Sequence, residues 1–308
     1  MSRLVPIHTA VLLCFAIPLS AVEPLPKEVA FSIDTYVRVT LDYGFMQKEE
    51  STIYLGSSVC VSPDGYIITN VHVADPGVLI TKLVLAASVL PKGITNVYLQ
   101  YRICNKDNLT FTTDYKPEVE YERRERSFQL RILKLESRPD AEEDRAIHII
   151  KRNDQDVMVI KVDHDMPLPY LALPPALPAS SLTKSESPEI LYALAARKDE
   201  KFDVVAVTRI GQTNNSAATI VCQTLVTPIT MTTIEGDSGS IIIDSCHRPV
   251  GLLTSHELPE VSDVSFMIPI DRVTEFYNTV ISEIDPPKTN VFVEDIIPTC
   301  DQEHVHAP

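Results

Sequence analysis

Residues 56–73 read GSSVCVSPDGYIITNVHV, two apolar runs separated by a turn signal. Ser-Pro-Asp-Gly at 62–65 favours a β-turn, because proline presets the backbone at the second turn position and glycine is common at the fourth. The runs on either side are rich in β-branched residues and predict two antiparallel strands. The second strand leads directly to His72, which we therefore expect close to a strand end.

Short strands separated by turn residues account for most of the chain, which predicts an all-β barrel or sandwich. A helical pattern appears mainly at Asp271 to Ile284, where apolar residues recur on one face before Asp285-Pro-Pro287 ends the helix. The predicted strands cover residues 35–43, 54–61, 66–69, 96–101, 129–135, 156–162, 190–195, 203–209, 218–225, 240–243 and 249–254.

The composition is that of an ordinary globular protein with an acidic surface. Of the 308 residues, 44% are hydrophobic and 22% are charged, which is enough apolar material for a sizeable core. The net charge of −15 argues against nucleic acid or an anionic membrane as the main partner, because both need basic patches on the protein.

The first residues predict a cleaved secretory signal over 1–22. Arg3 supplies a positive start, and Leu12 to Ala21 is an apolar stretch that ends in small residues. The stretch is short for a membrane span, so an uncleaved anchor is the less favoured alternative. We therefore expect a secreted or periplasmic protein, and we expect no membrane association once the signal is removed.

The cysteines give no framework that fixes the fold. Removal of the signal, which contains Cys14, leaves five of the six cysteines, and an odd number leaves at least one unpaired. The best candidate disulfide joins Cys222 to Cys246, on predicted strand ends that flank the serine motif described below. No spacing of Cys and His indicates structural zinc. The tail carries Cys300 to His306, for which a disordered polar segment is favoured over a metal site.

Two stretches look like insertions. Residues 106–144 are dense in charge and predict a solvated surface loop, whereas 167–188 is rich in proline and serine and predicts a linker between two halves.

The hexapeptide Glu235-Gly-Asp-Ser-Gly-Ser240 contains two of the only nine glycines in the chain. Covalent acyl transfer needs a serine hydroxyl on a tight turn, with backbone N–H groups directed at the developing oxyanion. Ser238 is the predicted nucleophile. Gly236, Asp237 and Ser238 form the predicted oxyanion hole, with the N–H groups of Gly236 and Ser238 as donors. An ordinary β-turn is the alternative, because Gly-Asp-Ser-Gly is intrinsically turn-forming.

His72 and an aspartate complete a candidate catalytic triad. His72 precedes Ser238, and the segment Asn153-Asp-Gln-Asp156 lies between them, giving the order His, Asp, Ser. Asp156 directly precedes an apolar run and is the preferred third member, with Asp154 as the alternative. His72 would act as general base toward Ser238 and then as general acid toward the leaving amine.

These segments together resemble trypsin-like serine proteases of the HtrA/Deg type. The similar blocks are 56–73, 156–162, 236–243, 249–252 and 265–269, within a region of about 30–285. The resemblance implies a chymotrypsin-like fold of two six-stranded antiparallel β-barrels and a serine endopeptidase that needs no cofactor or metal. The domain boundaries that it implies are a first barrel at 30–165, a second barrel at 189–270, a C-terminal helix at 271–284 and a tail at 286–308.

The chain also departs from the family pattern. His72 and Asp156 are 84 residues apart (156 − 72), which is long for the family and agrees with the charged insertion. Only 24 residues follow the helix (308 − 284), too few for the peptide-binding PDZ domain of HtrA proteins, so we expect a stand-alone protease domain.

The substrate pocket is expected beside Ser238 and along the strand that follows it. No acidic residue stands where trypsin-like relatives hold one for Lys or Arg, which favours small or medium apolar side chains of protein or peptide substrates. His256 is expected at the rim of this pocket. The predicted pocket residues are Thr232, Thr233, Leu253, Thr254 and Ser255.

Two other functions remain to be weighed. A protease-fold binding protein without activity usually lacks a triad residue, whereas here all three are present. An active enzyme also requires that the charged insertion leaves the cleft open. An esterase of the α/β-hydrolase fold needs a Gly-x-Ser-x-Gly elbow and a different residue order, and the sequence has neither.

Overall fold

Strands dominate the computed structural model and form two antiparallel sheets. The structure describes residues 26–87, 89–124, 127–137, 147–175, 190–197, 201–209, 219–221, 224–231, 234–244, 246–254 and 264–284. The first sheet consists of β1 (Ala30–Asp42), β2 (Gln47–Cys60), β3 (Tyr66–Thr69), β4 (Gly93–Asn105), β5 (Thr110–Arg123), β6 (Phe128–Ser137), β7 (Ile147–Arg152) and β8 (Met158–Val162). The second consists of β9 (Ile190–Arg197), β10 (Lys201–Arg209), β11 (Thr219–Val221), β12 (Thr224–Thr230), β13 (Ile241–Ile243), β14 (Pro249–Thr254) and β15 (Val264–Pro269).

Helices are few and short in the part of the chain that the structure describes. α1 (Val71–Ala74) and α2 (Pro76–Leu85) follow β3, and α3 (Ile270–Glu283) follows β15. The prediction of a C-terminal helix is therefore confirmed. None of these helices is long and apolar enough to cross a membrane.

The first sheet curls until β7, at one end, meets the first half of β5 near the other end. Its strand order is β6-β5-β4-β1-β2-β3-β8-β7. The N–H of Ile147 on β7 donates to Thr113 Oγ1 on β5 at 2.8 Å, and the Tyr115 hydroxyl donates to the Ile147 carbonyl. The interior is filled by fully buried side chains, including Phe31, Leu41, Leu99, Tyr101 and Phe111.

The second sheet closes through its backbone. Its order is β10-β9-β13-β14-β15-β12-β11, and β10 pairs in addition with β12 at Thr208–Thr230 and Arg209–Ile229. The predicted all-β, chymotrypsin-like architecture of two antiparallel barrels is confirmed. The predicted number of six strands in each barrel is wrong, because the first sheet has eight strands, including the long hairpin of β5 and β6, and the second has seven.

That hairpin corrects the prediction of a surface loop at 106–144. The strand predicted inside this range at 129–135 corresponds to β6, whereas β5 was not predicted, and residues 125–126 and 138–144 lie outside the described residues. β5 and β6 pair from Tyr115–Ser137 to Arg123–Phe128. Phe111 and Tyr115 are buried at alternate positions of β5, while the charged residues between and beyond them face outward. The period of two was present in the sequence, but the high charge density concealed it.

Two smaller predictions also change. The predicted strand at 218–225 is divided into β11 and β12, which pair at Val221–Thr224. The helix α2 was not predicted, since apolar residues also stand on its outer face, at Val78 and Leu85, and weaken the amphipathic pattern of its buried side. Asp75 caps its N-terminus by accepting the Val78 N–H at 2.9 Å, and Pro76 occupies its first turn.

A second apolar cluster lies between the two sheets. Ile68 and Val159 from the first sheet pack into one cluster with Ile241, Leu252 and Ile268 from the second. α3 adds Val273 and Val280 to this cluster, and Glu283 near its end forms an ion pair with Lys151 on β7. The sheets therefore share a core, which fixes the relative position of residues carried by each.

Several predictions fall partly or wholly outside the described residues. These include the signal at 1–22, most of the linker at 167–188 and the tail at 286–308. The first part of the linker runs along the first sheet, where Leu171 N–H donates to Cys60 O at 2.9 Å. The disulfide prediction is not supported, because Cys246 carries a free thiol and Cys222 lies outside the described residues.

The shared core predicts a large cost for Ile268→Ala. Ile268 is fully buried between the sheets, so the variant should lose about 2–5 kcal/mol of unfolding free energy in urea denaturation. Ile53→Ala, at an exposed position of β2, is the control and should lose less than about 1 kcal/mol. Equal losses in the two variants would contradict the proposed packing.

Candidate active site

The side chain of Asp156 holds His72 by two hydrogen bonds. Asp156 Oδ1 accepts the backbone N–H of His72 at 3.0 Å, and Asp156 Oδ2 lies 2.7 Å from His72 Nδ1. A carboxylate only accepts hydrogen bonds, so Nδ1 must carry the proton. The lone pair of the imidazole is then on Nε2, which is the arrangement that a general base requires.

The turn between β7 and β8 orients the Asp156 carboxylate toward His72. Asp156 has a φ of +61°, a left-handed conformation that aspartate tolerates better than most residues. Asn153 supports the turn, because its side-chain oxygen accepts the N–H groups of Gln155 and Val157 at 3.0 and 2.9 Å. Asn70 Nδ2 donates to Asp156 O at 3.0 Å and ties this turn to the start of α1.

The carboxylate is kept ionised in spite of its burial. Burial by itself would raise the pKa of Asp156, but the nearby His72 and the hydrogen bonds from His72 and Thr254 outweigh it, so that the pKa lies below its ordinary value. Thr254 Oγ1 donates to Asp156 Oδ2 at 2.8 Å. Asp154, the alternative triad member, is exposed.

A partly buried ion pair supports the other end of the His72 helix. Arg152 Nε lies 3.0 Å from Asp75 Oδ2, which joins the residue after α1 to the end of β7. Burial raises the pKa of Asp75, and Arg152 opposes that effect. The segment that carries His72 is thus fastened to the β7–β8 region on both sides.

Ser238 follows a tight turn of the predicted kind. The Asp237 N–H donates to Ile234 O at 3.1 Å, and Gly236 has a φ of +99° while Glu235 has no positive φ. These are the features of a type II turn, whose third position favours glycine. Because the Asp237 N–H is engaged by Ile234, Asp237 is not an oxyanion donor in this arrangement. Gly236 and Ser238 remain as the candidates.

Ser238 is held between the two sheets. Its carbonyl accepts the N–H of Ser57 on β2 at 2.7 Å. Gly239 N–H donates to Leu253 O at 2.9 Å, and Leu253 N–H donates to Ser240 O at 2.8 Å. A Cβ on Gly239, which has a φ of +89°, would lie 1.9 Å from Ser57 O, so only glycine fits there.

Strand β14 joins the serine turn to the histidine–aspartate pair. Leu253 pairs with the residues that follow Ser238, and its neighbour Thr254 donates to Asp156. Each side of this site therefore depends on the same strand. His72 keeps about a quarter of its side chain accessible, with an exposed fraction of 24%.

Two of the five predicted pocket residues lie within the described part of the chain, and the pocket itself stays a prediction. Leu253 is fully buried in the core of the second sheet, and the Thr254 hydroxyl is directed at Asp156. Thr232, Thr233 and Ser255 lie outside the described residues, as does His256. Within the described ranges, no group of three His, Cys, Asp or Glu side chains is arranged to hold a metal ion.

Sequence reasoning missed the partners of the predicted site. Thr254 was predicted as a pocket residue rather than as a hydrogen-bond donor to Asp156. Ser57 and Asn70 were not predicted to have a role in the site. These contacts join residues that are 86 to 181 positions apart in the sequence, so no local sequence pattern predicts them.

The depressed pKa of Asp156 predicts a pH-dependent contribution to stability. Asp156→Asn should lose about 1–3 kcal/mol of unfolding free energy at neutral pH, because a charge-assisted hydrogen bond is lost. The contribution of the carboxylate is complete above its ordinary pKa of 3.8 and is lost as the pH falls through the lower folded-state value. The difference in unfolding free energy between wild type and Asp156→Asn, measured by urea denaturation, should therefore disappear below the folded-state pKa of Asp156.

Asp154→Asn is the matched control, since it removes the same charge at an exposed neighbouring position. It should show no comparable gap at neutral pH. A gap for Asp156→Asn that persists or widens on acidification would show that the carboxylate is not stabilised in the folded state.

Comparison with known proteins identifies the family. The sequence model of the trypsin-like peptidase domain family matches residues 56–252. No curated protein matches the chain in sequence.

Two similar solved structures are described as HtrA-type protease AlgW with a tripeptide, and one of them is a variant. Both are 15% identical to this chain, with TM-scores of 0.47 and 0.46. The alignments cover 84% and 80% of this chain but 60% of each of those chains, so this chain spans about 60% of their length. Since the family model matches more than half of the sequence, the chain belongs to the trypsin-like peptidase domain family.

Proposed function

We propose that the chain is a serine endopeptidase that hydrolyses peptide bonds through an acyl-enzyme intermediate. The observation that carries this proposal is the hydrogen-bonded chain from Thr254 through Asp156 to His72, beside the turn that presents Ser238. Family membership supports protein or peptide substrates.

The mechanism follows from which atoms are already engaged. His72 Nδ1 is bound to Asp156, so Nε2 accepts the proton of Ser238 as Oγ attacks the substrate carbonyl carbon. The tetrahedral oxyanion is stabilised by the N–H groups of Gly236 and Ser238. His72 then protonates the leaving amine, the C–N bond breaks, and the acyl group remains on Ser238 Oγ.

Deacylation repeats these steps with water. His72 Nε2 takes a proton from the attacking water, and a second tetrahedral species forms on the same carbonyl carbon. Its collapse returns the proton to Ser238 and releases the carboxylic acid. No cofactor or metal ion takes part in this scheme.

The substrate preference and the location remain predictions. The segments next to Ser238 favour small or medium apolar side chains at the cleaved bond, and residues 1–22 favour export to a secreted or periplasmic location.

Labelling with a fluorophosphonate probe tests the proposal. The probe phosphonylates only an activated serine, so wild type should be labelled, and Ser238→Ala and His72→Ala should not. Asp156→Asn should be labelled about 10⁴-fold more slowly, because the histidine loses the partner that fixes its tautomer. Labelling is followed by in-gel fluorescence, and circular dichroism establishes that each variant is folded.

Asp154→Asn serves again as the control and should be labelled at the wild-type rate. A folded wild type that resists labelling would contradict the proposal and favour a catalytically silent protease-fold binding protein. In that case the β5–β6 hairpin would be the first element to examine as an obstruction of the cleft.

A further inference from the structure

Ser57 contacts the backbone of both proposed oxyanion donors. It lies on β2 of the first sheet and is fully buried. Its hydroxyl lies 2.6 Å from Gly236 O, and its N–H donates to Ser238 O at 2.7 Å. One residue of the first sheet thus binds the carbonyl oxygens of Gly236 and Ser238, the same two residues whose N–H groups would stabilise the oxyanion.

The hydrogen bonds of the Ser57 hydroxyl can be assigned. A hydroxyl has one proton, and two carbonyl oxygens lie near it: Gly236 O at 2.6 Å and Ala196 O at 3.4 Å. The shorter distance assigns the proton to Gly236. The oxygen also accepts the Ala196 N–H at 2.8 Å, so the side chain joins β2, β9 and the serine turn.

Ser57 is itself held rigidly. Its carbonyl accepts the Thr69 hydroxyl at 2.7 Å, and the absence of a side chain at Gly239 lets the serine turn approach that carbonyl. Because Ser57 is held in one position, it can hold the more flexible Gly236 in place. Gly236 has no Cβ to restrict its rotation, and its φ of +99° is accessible mainly to glycine.

We propose that Ser57 is a positioning residue of the oxyanion hole, whose hydroxyl fixes Gly236 relative to Ser238. This inference rests on the proposed peptidase function. The C=O and N–H of Gly236 are linked through a single Cα, so anchoring the carbonyl limits the movement of the N–H. In the absence of the hydroxyl, Ser238 would stay anchored through the Ser57 backbone while Gly236 would be released.

The expected effect is on the transition state rather than on substrate binding. Removing one oxyanion donor costs about 10²–10³ in kcat, and a displaced donor should cost less. We therefore expect Ser57→Ala to reduce kcat about 10- to 100-fold with little change in KM, because the oxyanion contact is made only in the transition state.

The neighbouring Ser58 provides a matched control. It is equally buried, and its hydroxyl donates to Phe31 O at 3.2 Å. Ser57→Ala and Ser58→Ala each remove one buried hydroxyl from consecutive positions of β2. Both should lower the midpoint of thermal unfolding, whereas only Ser57→Ala should lower the rate of catalysis.

The experiment measures two quantities for wild type, Ser57→Ala and Ser58→Ala. These are the second-order rate constant of labelling by a fluorophosphonate probe, and kcat and KM for fluorescein-labelled casein. Ser57→Ala should be labelled 10- to 100-fold more slowly, and Ser58→Ala within about 3-fold of wild type. Ser57→Cys retains a weak donor of similar size and should give an intermediate rate.

The outcomes separate the two proposals. Absence of labelling in folded wild type would contradict the peptidase function itself. Normal labelling of wild type and of Ser57→Ala, or equal slowing of Ser57→Ala and Ser58→Ala, would overturn only the role of Ser57. If Ser57→Ala does not fold, Ser57→Cys is judged by the same comparison with Ser58→Ala, and a wild-type rate in that variant would overturn the inference.

Discussion

The hydrogen-bonded Asp156 carboxylate is the interaction on which the candidate site depends. It is largely shielded from solvent and would be costly to ionise without partners. The structure supplies two: His72 on α1, which follows β3 of the first sheet, and Thr254 on β14 of the second. The carboxylate therefore does two things at once. It sets the tautomer of the imidazole, and it requires the two sheets to stay in one relative position.

The apolar core between the sheets supplies that position. It joins side chains of β3 and β8 to those of β13, β14 and β15, and α3 covers it. The serine turn lies at the same boundary, with the carbonyl of Ser238 bound to β2 and the residues after it paired with β14. Neither barrel by itself carries a complete set of these groups. The histidine and the aspartate lie on connections between strands of the first sheet, and the serine lies on the connection before β13 of the second. Catalysis in this account is a property of the interface.

Local patterns and residue order in the sequence predicted the segments of the site and the pairing of His72 with an aspartate, but not the other contacts that hold the site. His72 and Ser238 were found because turn signals, β-branched runs and a pair of glycines are short-range features. Asp156 was preferred to Asp154 because it precedes a buried strand, and the structure places it against His72. The strand β6 was predicted at 129–135, but its hairpin partner β5 was missed because charge concealed the alternation of that strand. The roles of Thr254 and Ser57 depend on contacts between distant residues, which no single sequence reveals.

The protonation of His72 is the most direct test of this account. Proton NMR of protein labelled with ¹⁵N-histidine detects the hydrogen on each imidazole nitrogen. We predict a far-downfield proton on Nδ1 of His72, held in the short hydrogen bond to Asp156, which disappears in Asp156→Asn and in His72→Ala. If the folded wild type carried its proton on Nε2 instead, or if the downfield resonance persisted in Asp156→Asn, the proposed role of the aspartate–histidine pair would be wrong.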